Sequence, residues 1–398
     1  MRVTNANAFD RSLDTLQQRQ QSLVEAQDRL TSGKRIARAS DDPTGAARVE
    51  RALAQEARAD ASQRALEASR NAMVQAESAL GQAGDLMQRA RELIVQAGNP
   101  TYDDVQRRSL AQEIRGLRDQ LVQVANRGDG AGGWLFSGQG SAQPPFVDAP
   151  GGVQFNGTQG QLLTASGEPL PMTSDGEQTF LRGASGNGVF VTEPGPGNGG
   201  QAWINAGHVT DPASVTGDAY SLLFSDTGSG TTYAVLRNGV PTAITAEPYV
   251  AGRAIQFDGL SMAVNGTPGH GDLFEIGPSA RDLSIFDALD RVIGGLQTAN
   301  ASKAQITQAV QTGLRDLDAA TANVFGERAR LGEVLNRTDA VEGRIATSKL
   351  LAQTERSAAE DLDMVQAVSD FSARQTSYDA ALKAYSMVQK LSLFEYIR

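Results

Sequence analysis

Proline and glycine are the residues least compatible with a helix interior, and they divide this 398-residue chain into three. Of its fourteen prolines, Pro43 and Pro100 alone fall in residues 1–140, twelve lie from Pro144 to Pro278, and none follows. Of the 42 glycines, 24 fall in 141–280. The map predicts helix, then strand and turn, then helix again, an α+β chain. Charge divides the same way. The middle holds twelve carboxylates against three arginines (Arg182, Arg237, Arg253), so it carries nearly all of the net charge of −10.

The helical arms show apolar residues at 3–4 spacing. In the first arm Phe9, Leu13, Leu16, Leu23 and Leu30 form one stripe, with Gln20 and Gln27 filling the missing steps. Ser40-Asp41-Asp42-Pro43 then starts a new helix, with Asp42 accepting from the first free amides and Pro43 at the first helical position. Met73, Ala76, Leu80, Ala83, Met87, Ala90 and Ile94 keep the rhythm towards Gly98-Asn99-Pro100. Some 55 residues at about 1.5 Å each make a rod of roughly 80 Å. A further helix carries Leu110, Ile114, Leu117, Leu121 and Val124 and ends near Asn126-Arg127-Gly128. The last arm restarts at Ser284, with Asp287 completing a weak capping box. One face carries Ile285, Leu289, Val292 and Leu296; Ile306, Val310, Leu314, Leu317 and Val324 continue it, as do Leu331, Leu335, Val341 and Ile345. Met364, Val368, Phe371, Tyr378, Leu382 and Tyr385 form a closing stripe, with Gln375 in register.

The middle reads as strands. Gln178–Leu181, Gly188–Thr192, Gln201–Ile204, Tyr220–Phe224, Thr231–Leu236 and Ala254–Phe257 are short and rich in apolar or aromatic residues. Asn238-Gly239 and Asp258-Gly259 are hairpin turn signals. Strand order is not legible.

Each terminal stripe is too thin to form a core of its own, and short isolated helices are marginal in water. The two ends need each other or neighbouring subunits. Periodicity alone leaves two readings equally open: completion of a helical bundle within one monomer, or a surface for copies and partners.

Three blocks carry a family resemblance. Leu30-Thr31-Ser32-Gly33-Lys34-Arg35-Ile36 with Ser40-Asp41-Asp42-Pro43 resembles the N-terminal signature of the bacterial flagellin superfamily. Trp134-Leu135-Phe136-Ser137-Gly138 resembles the turn after the second helix in its hook–filament junction branch. Leu391-Ser392-Leu393-Phe394-Glu395-Tyr396-Ile397 resembles the ending of that branch, with Ile397 in place of a leucine, and differs from the glutamine- and leucine-rich ending of filament flagellins. The blocks cover about 1–140 and 280–398; the middle carries no recognisable motif. The resemblance implies a terminal coiled-coil assembly domain (1–40 with 364–398), a helical rod domain (41–140 with 280–363) and a β-rich inserted outer domain (141–279). It implies a non-enzymatic adaptor without cofactor. Its neighbours would be the first hook-associated protein on the hook side, flagellin on the filament side, and further copies in a ring or helical layer. It also implies export by the flagellar type III apparatus with a cytoplasmic chaperone, and ends that order on assembly. Lys34 and Arg35 then belong to a connecting segment, where pairing across subunits and plain solvation are equally open.

Other chemistries find little footing. The acidic balance argues against nucleic acid. The absence of cysteine removes disulfides and thiol catalysis. No run of 18 apolar residues supports membrane insertion, and Met1–Gln20 lacks the apolar stretch of a secretory signal. Gly195-Pro196-Gly197-Asn198-Gly199-Gly200 spells G-x-G-x-x-G without the strand–helix setting of a dinucleotide site, so a loop is expected. Arg127-Gly128-Asp129 sits at a helix end, where glycine is expected as a cap. His270, Asp272 and Glu275 read as a loop with solvated carboxylates rather than a metal site, and His208 is remote from them. Asp41-Asp42 reads as capping rather than a catalytic pair. The competing readings are a divergent filament flagellin, or a β insertion that binds a surface glycan or host protein. An enzyme hidden in the insertion finds no nucleophile placed beside a base.

Overall fold

The computed structural model describes residues 2–396 except Ser166, Thr227 and Ser229, with side chains described over 10–387. The helices are α1 (Arg2–Ser32), α2 (Pro43–Ala97), α3 (Asp104–Ala125), the short α4 (Gly176–Phe180), α5 (Ile285–Gln297), α6 (Lys303–Glu360) and α7 (Met364–Tyr396). Local chemistry sets their starts. Asp103 accepts from the amide of Gln106 at 2.8 Å, while the Gln106 side chain accepts from the Asp103 amide at 3.0 Å, a closed capping box ahead of α3. Ser302 and Gln305 repeat that exchange ahead of α6, at 3.2 and 2.8 Å. At α5 the Ser284 hydroxyl accepts from the Asp287 amide at 3.2 Å. That is the half of the expected box that forms.

The chain divides into two compact units, Met1–Arg64 with Val341–Arg398, and Ala65–Ala340; α2 and α6 each contribute to both. In the second unit the alanine and methionine face of α2, from Met73 to Ile94, is fully buried with Leu110, Ile114 and Leu121 of α3, Phe286 and Leu289 of α5, and Leu317 and Val324 of α6. Gly84 allows a close approach there: a Cβ on it would lie 2.8 Å from the Phe325 ring.

The strands all lie in this second unit: β1 (Phe146–Ala149), β2 (Gly152–Phe155), β3 (Gly183–Ala184), β4 (Phe190–Pro194), β5 (Gln201–Ile204), β6 (His208–Val209), β7 (Tyr220–Asp226), β8 (Thr231–Arg237), β9 (Val240–Pro241), β10 (Glu247–Pro248), β11 (Ala254–Phe257), β12 (Leu260–Thr267), β13 (Leu273–Pro278) and β14 (Arg281–Leu283). One sheet runs β10-β8-β7-β13-β4 with β9 beside β8, and a second runs β11-β12-β5 with β6 beside β12. β1 with β2, and β3 with β14, form separate antiparallel pairs. Both turn signals behave as read. Asn238 and Gly239 take φ of 51° and 78°, and Asp258 and Gly259 take 44° and 75°, as two-residue hairpins require.

The middle of the chain feeds two cores. Phe190, Ile204, Tyr220, Leu222, Phe224, Val235, Met262, Val264, Phe274 and Ile276 pack between the two larger sheets. Phe146, Val153 and Phe180 instead join the helical core. Polar ties also fasten strands to helices. The Ile204 amide donates to Gln308 at 2.8 Å, Arg315 donates to the Thr192 carbonyl at 2.6 Å, and buried Arg118 bridges Asp148 of β1 and Asp290 of α5.

One expected strand is a helix. Residues 178–181 fall largely in α4, because Asp175 caps the Gln178 amide at 3.1 Å and the turn drives Phe180 into the helical core. Tertiary packing overrides β propensity in this segment.

Candidate assembly surface and helix joint

Helices α1 and α7 pack antiparallel. Arg19 donates to the Ser377 carbonyl at 2.7 Å and Arg374 to the Ser22 carbonyl at 3.1 Å. The stripe residues Leu16, Leu23 and Leu30, with Phe371, Tyr378 and Tyr385, are half-buried. Leu13, Met364, Val368 and Leu382 are exposed, and Val365 is 84% exposed. Among the described side chains of α1 and α7, none is buried. Phe9, Ser392, Leu393, Phe394 and Tyr396 lie outside the described side chains, and Ile397 outside the described residues. Transfer of apolar surface from water is worth about 25 cal/mol per Å², so a half-covered seam gains only part of what its residues offer. The remaining apolar area is available to a neighbour.

The signature block forms a joint between helices of this first unit. Gly33 closes α1 in the left-handed conformation, φ 67°, its amide donating to Arg29 at 2.9 Å, and Ser32 donates to the same carbonyl at 3.3 Å. The Arg35 amide donates to the Glu360 carbonyl at 2.7 Å, and the Leu362 amide to the Gly33 carbonyl at 3.0 Å. Lys34 pairs with Glu360, while Arg35 donates to the Ala359 carbonyl at 2.7 Å and lies 3.7 Å from Asp42. Both cations, left open between partner and solvent by the sequence, therefore have partners within the chain. Asp41 accepts from the amides of Ala37 and Arg38 at 3.2 and 2.9 Å. Asp42 accepts from those of Thr44 and Gly45 at 3.2 and 2.9 Å, at the start of α2 beside Pro43.

The Gly45 amide and the Thr44 hydroxyl hold the Asp42 carboxyl below its ordinary value of 3.8. A lowered carboxyl stabilises the fold above its unfolded pKa, and that stabilisation is lost as pH falls through the folded value. Asp42→Ala is therefore expected to lower the melting temperature at pH 7, and the two chains should converge as pH falls below 3.8 and through the lowered folded value. Thermal melts across pH 2–7 check this.

The Trp134–Gly138 block is interior. Leu135, Phe136 and Ser137 are buried; the Phe136 ring meets Phe180 edge-on at 5.2 Å. Gly138 has φ 68°, its amide donates to Ser174 at 3.1 Å, and its carbonyl accepts from the Thr173 hydroxyl. This block builds the helical core rather than a surface.

The motifs that resemble chemistry have structural occupants. The Gly195–Gly200 loop lies between β4 and β5. The amides of Gly199, Gly200 and Gly269 donate to Asp272 at 2.9, 3.2 and 2.8 Å. A carboxylate of the chain thus takes the place that a phosphate has in a nucleotide loop. Asp272 is only 3% exposed, which corrects the expectation of a solvated loop carboxylate; the glycine loop folds around it. Glu275 is exposed, and His270 Nδ1 accepts from the Asp226 amide at 3.3 Å. Among the described residues no three histidines or carboxylates are grouped to hold a metal ion. The expected glycine cap also needs correction: Asn126, not Gly128, caps α3, its amide donating to Val122 at 3.0 Å, and Gly128 instead bridges to Trp134.

Comparison with known proteins adds the family. The bacterial flagellin N-terminal helical region matches residues 4–141, and the flagellin C-terminal helical region matches 297–397. A D2-like domain of flagellar hook-associated protein 1 matches 196–278, the stretch that supplies all of the buried sheet core except Phe190. Flagellar hook-associated protein 3 of Escherichia coli K12 is 25% identical over 99% of both chains. The crystal structure of hook-associated protein 3 from Legionella pneumophila superposes with a TM-score of 0.72 at 28% identity, covering 77% of this chain and 97% of that one. The flagellar junction protein FlgL from Legionella pneumophila is 30% identical, covering 70% of this chain and 94% of that one, with a TM-score of 0.65. The chain belongs to the flagellar hook-associated protein 3 family. As a member of that family it is a structural component of the flagellum, with the flagellin-like α+β arrangement. No described helix is long and apolar enough to cross a membrane.

Proposed function

We propose that this chain is the junction subunit between hook and filament and that it assembles through α1 and α7. One observation carries the reading: the two terminal helices pack together without burying a single described side chain, and Met364, Val365, Val368 and Leu382 remain exposed. Two helices held by so thin a seam gain stability from a neighbour. Residues 1–40 with 364–398 are then the assembly element, 41–140 with 280–363 the rod, and 141–279 the outer insertion. The seam contacts are Phe9, Leu13, Leu16, Leu23, Leu30, Met364, Val368, Phe371, Tyr378, Leu382 and Tyr385. The partners are the first hook-associated protein on one side, flagellin on the other, and further copies in a ring or layer. The site of action is outside the cell, reached through the flagellar export apparatus with a chaperone covering the ends. The role is mechanical rather than catalytic, which the structural duties of Asp41, Asp42 and Asp272 support.

The test compares the full chain with chains lacking residues 1–32 or 364–398, added to isolated hooks carrying the first hook-associated protein. The full chain should bind and permit filament growth. The shortened chains should keep the near-ultraviolet circular dichroism of a packed aromatic core and lose binding. Shortened chains that still join hook to filament would refute the reading, and long filaments formed by the full chain alone would favour a filament flagellin.

A further inference from the structure

We infer that the joint formed by residues 33–35 with 359–362, and not the apolar seam, sets the register in which α1 and α7 pair. The inference rests on reading that helix pair as the assembly element. The seam by itself is degenerate. Phe9, Leu16, Leu23 and Leu30 recur every seven residues, and so do Met364, Phe371, Tyr378 and Tyr385. A slide of one heptad sets the same residue types against each other again. Polar residues in a seam can forbid such a slide when they are buried, but Gln20, Gln27 and Gln375 are exposed. With no described side chain of the pair buried, mispairing leaves no cavity and strands no polar group.

The joint has no such periodicity. The Arg35 amide donates to Glu360 and the Leu362 amide to Gly33, one antiparallel step that fits a single alignment of the two strands. Lys34 with Glu360, and Arg35 with the Ala359 carbonyl, reinforce the same alignment. The alignment carries outward into the helices. The contacts 33 to 362, 22 to 374 and 19 to 377 move in opposite directions along the chain and stay in step to within one residue. Because the C-terminal end of α1 and the N-terminal end of α7 are fastened together, each helix meets the other at high effective concentration nearest the joint. Pairing then proceeds from the joint towards the chain ends. Every subunit thereby presents Val365, Val368 and Leu382 at the same height, as a repeating assembly requires.

The chain has no cysteine, so paired labels carry no background. Spin labels at Asp10→Cys and Ser372→Cys, both exposed and offset along the helix axis, report the slide directly by dipolar distance measurement on the full-length protein. The labelled chain should give one narrow distance. Leu362→Pro, which removes the amide donated to Gly33, should add a second population displaced by about 10 Å, the length of seven helical residues. Gly33→Val, which opposes the left-handed φ, should add the same population through a different lesion. Exchange of charges in Lys34→Glu with Glu360→Lys should leave the single distance. A single unchanged distance in both lesioned chains would overturn the inference, because the seam would then hold register unaided. A broad distance without preferred separation in the unaltered joint would overturn it equally. Neither result bears on whether the chain caps hooks, which the truncation experiment reads separately.

Discussion

Replacing Gly138 with alanine is expected to lower the unfolding free energy of the chain by about 3–5 kcal/mol. Two independent penalties combine there. The residue has φ 68°, where a side chain is strained, and a Cβ would sit 1.8 Å from the Thr158 carbonyl oxygen and 2.9 Å from its carbon. The backbone on either side has no slack, since the Gly138 amide is bonded to Ser174 and its carbonyl to Thr173. Gly33 is the natural comparison. It has nearly the same φ, 67°, but nothing lies within 4 Å of its Cβ position. Gly33→Ala therefore carries the left-handed strain alone, about 1 kcal/mol. Urea unfolding of both variants separates backbone strain from steric overlap. Equal, small losses would mean that the turn at Gly138 relaxes freely.

Phe180→Ala is expected to cost about 3–5 kcal/mol, as large-to-small changes in a closed aromatic core do. The ring is 1% exposed and stands 5.2 Å from Phe136, 5.4 Å from Phe146 and 6.2 Å from Phe286. It joins α4 to the first hairpin and to α5. Its removal leaves a cavity between three elements that come from distant parts of the chain. Phe180→Leu should cost markedly less, because most of the volume remains. Denaturant midpoints at unchanged slope would establish that the loss lies in the folded state.

The same residue shows where the sequence was informative and where it was not. Long helices were legible because periodicity is written many times over: α2 buries Met73, Ala76, Leu80, Ala83, Met87, Ala90 and Ile94 as the spacing requires. The Asn238-Gly239 and Asp258-Gly259 turns were legible because few residues tolerate positive φ. Residues 178–181 misled because a five-residue helix has no periodicity to show, and its one local signal, Asp175 three residues before Gln178, resembles any loop aspartate. Asp272 misled for a related reason. Its burial depends on glycine amides some 70 residues away in sequence, and no local pattern announces that contact. The joint was half legible. Ser32 to Pro43 marked it, but its other half, Ala359 to Leu362, carries no motif and is set by the antiparallel backbone step with Gly33 and Arg35.

The exposed terminal seam carries the functional account, and amide hydrogen exchange on the full-length chain tests it most directly, first alone and then with hook or filament ends added. In the free chain the α1–α7 pair should be formed but open readily, so exchange over 10–32 and 364–387 should run far faster than in the helical core, since no described side chain there is buried. It should slow at least tenfold when the ends of the growing flagellum are supplied, while the helical core around Phe136 and Phe180 stays unchanged. Termini that are already strongly protected in the free chain, and that do not respond to hooks or filaments, would contradict assembly through α1 and α7.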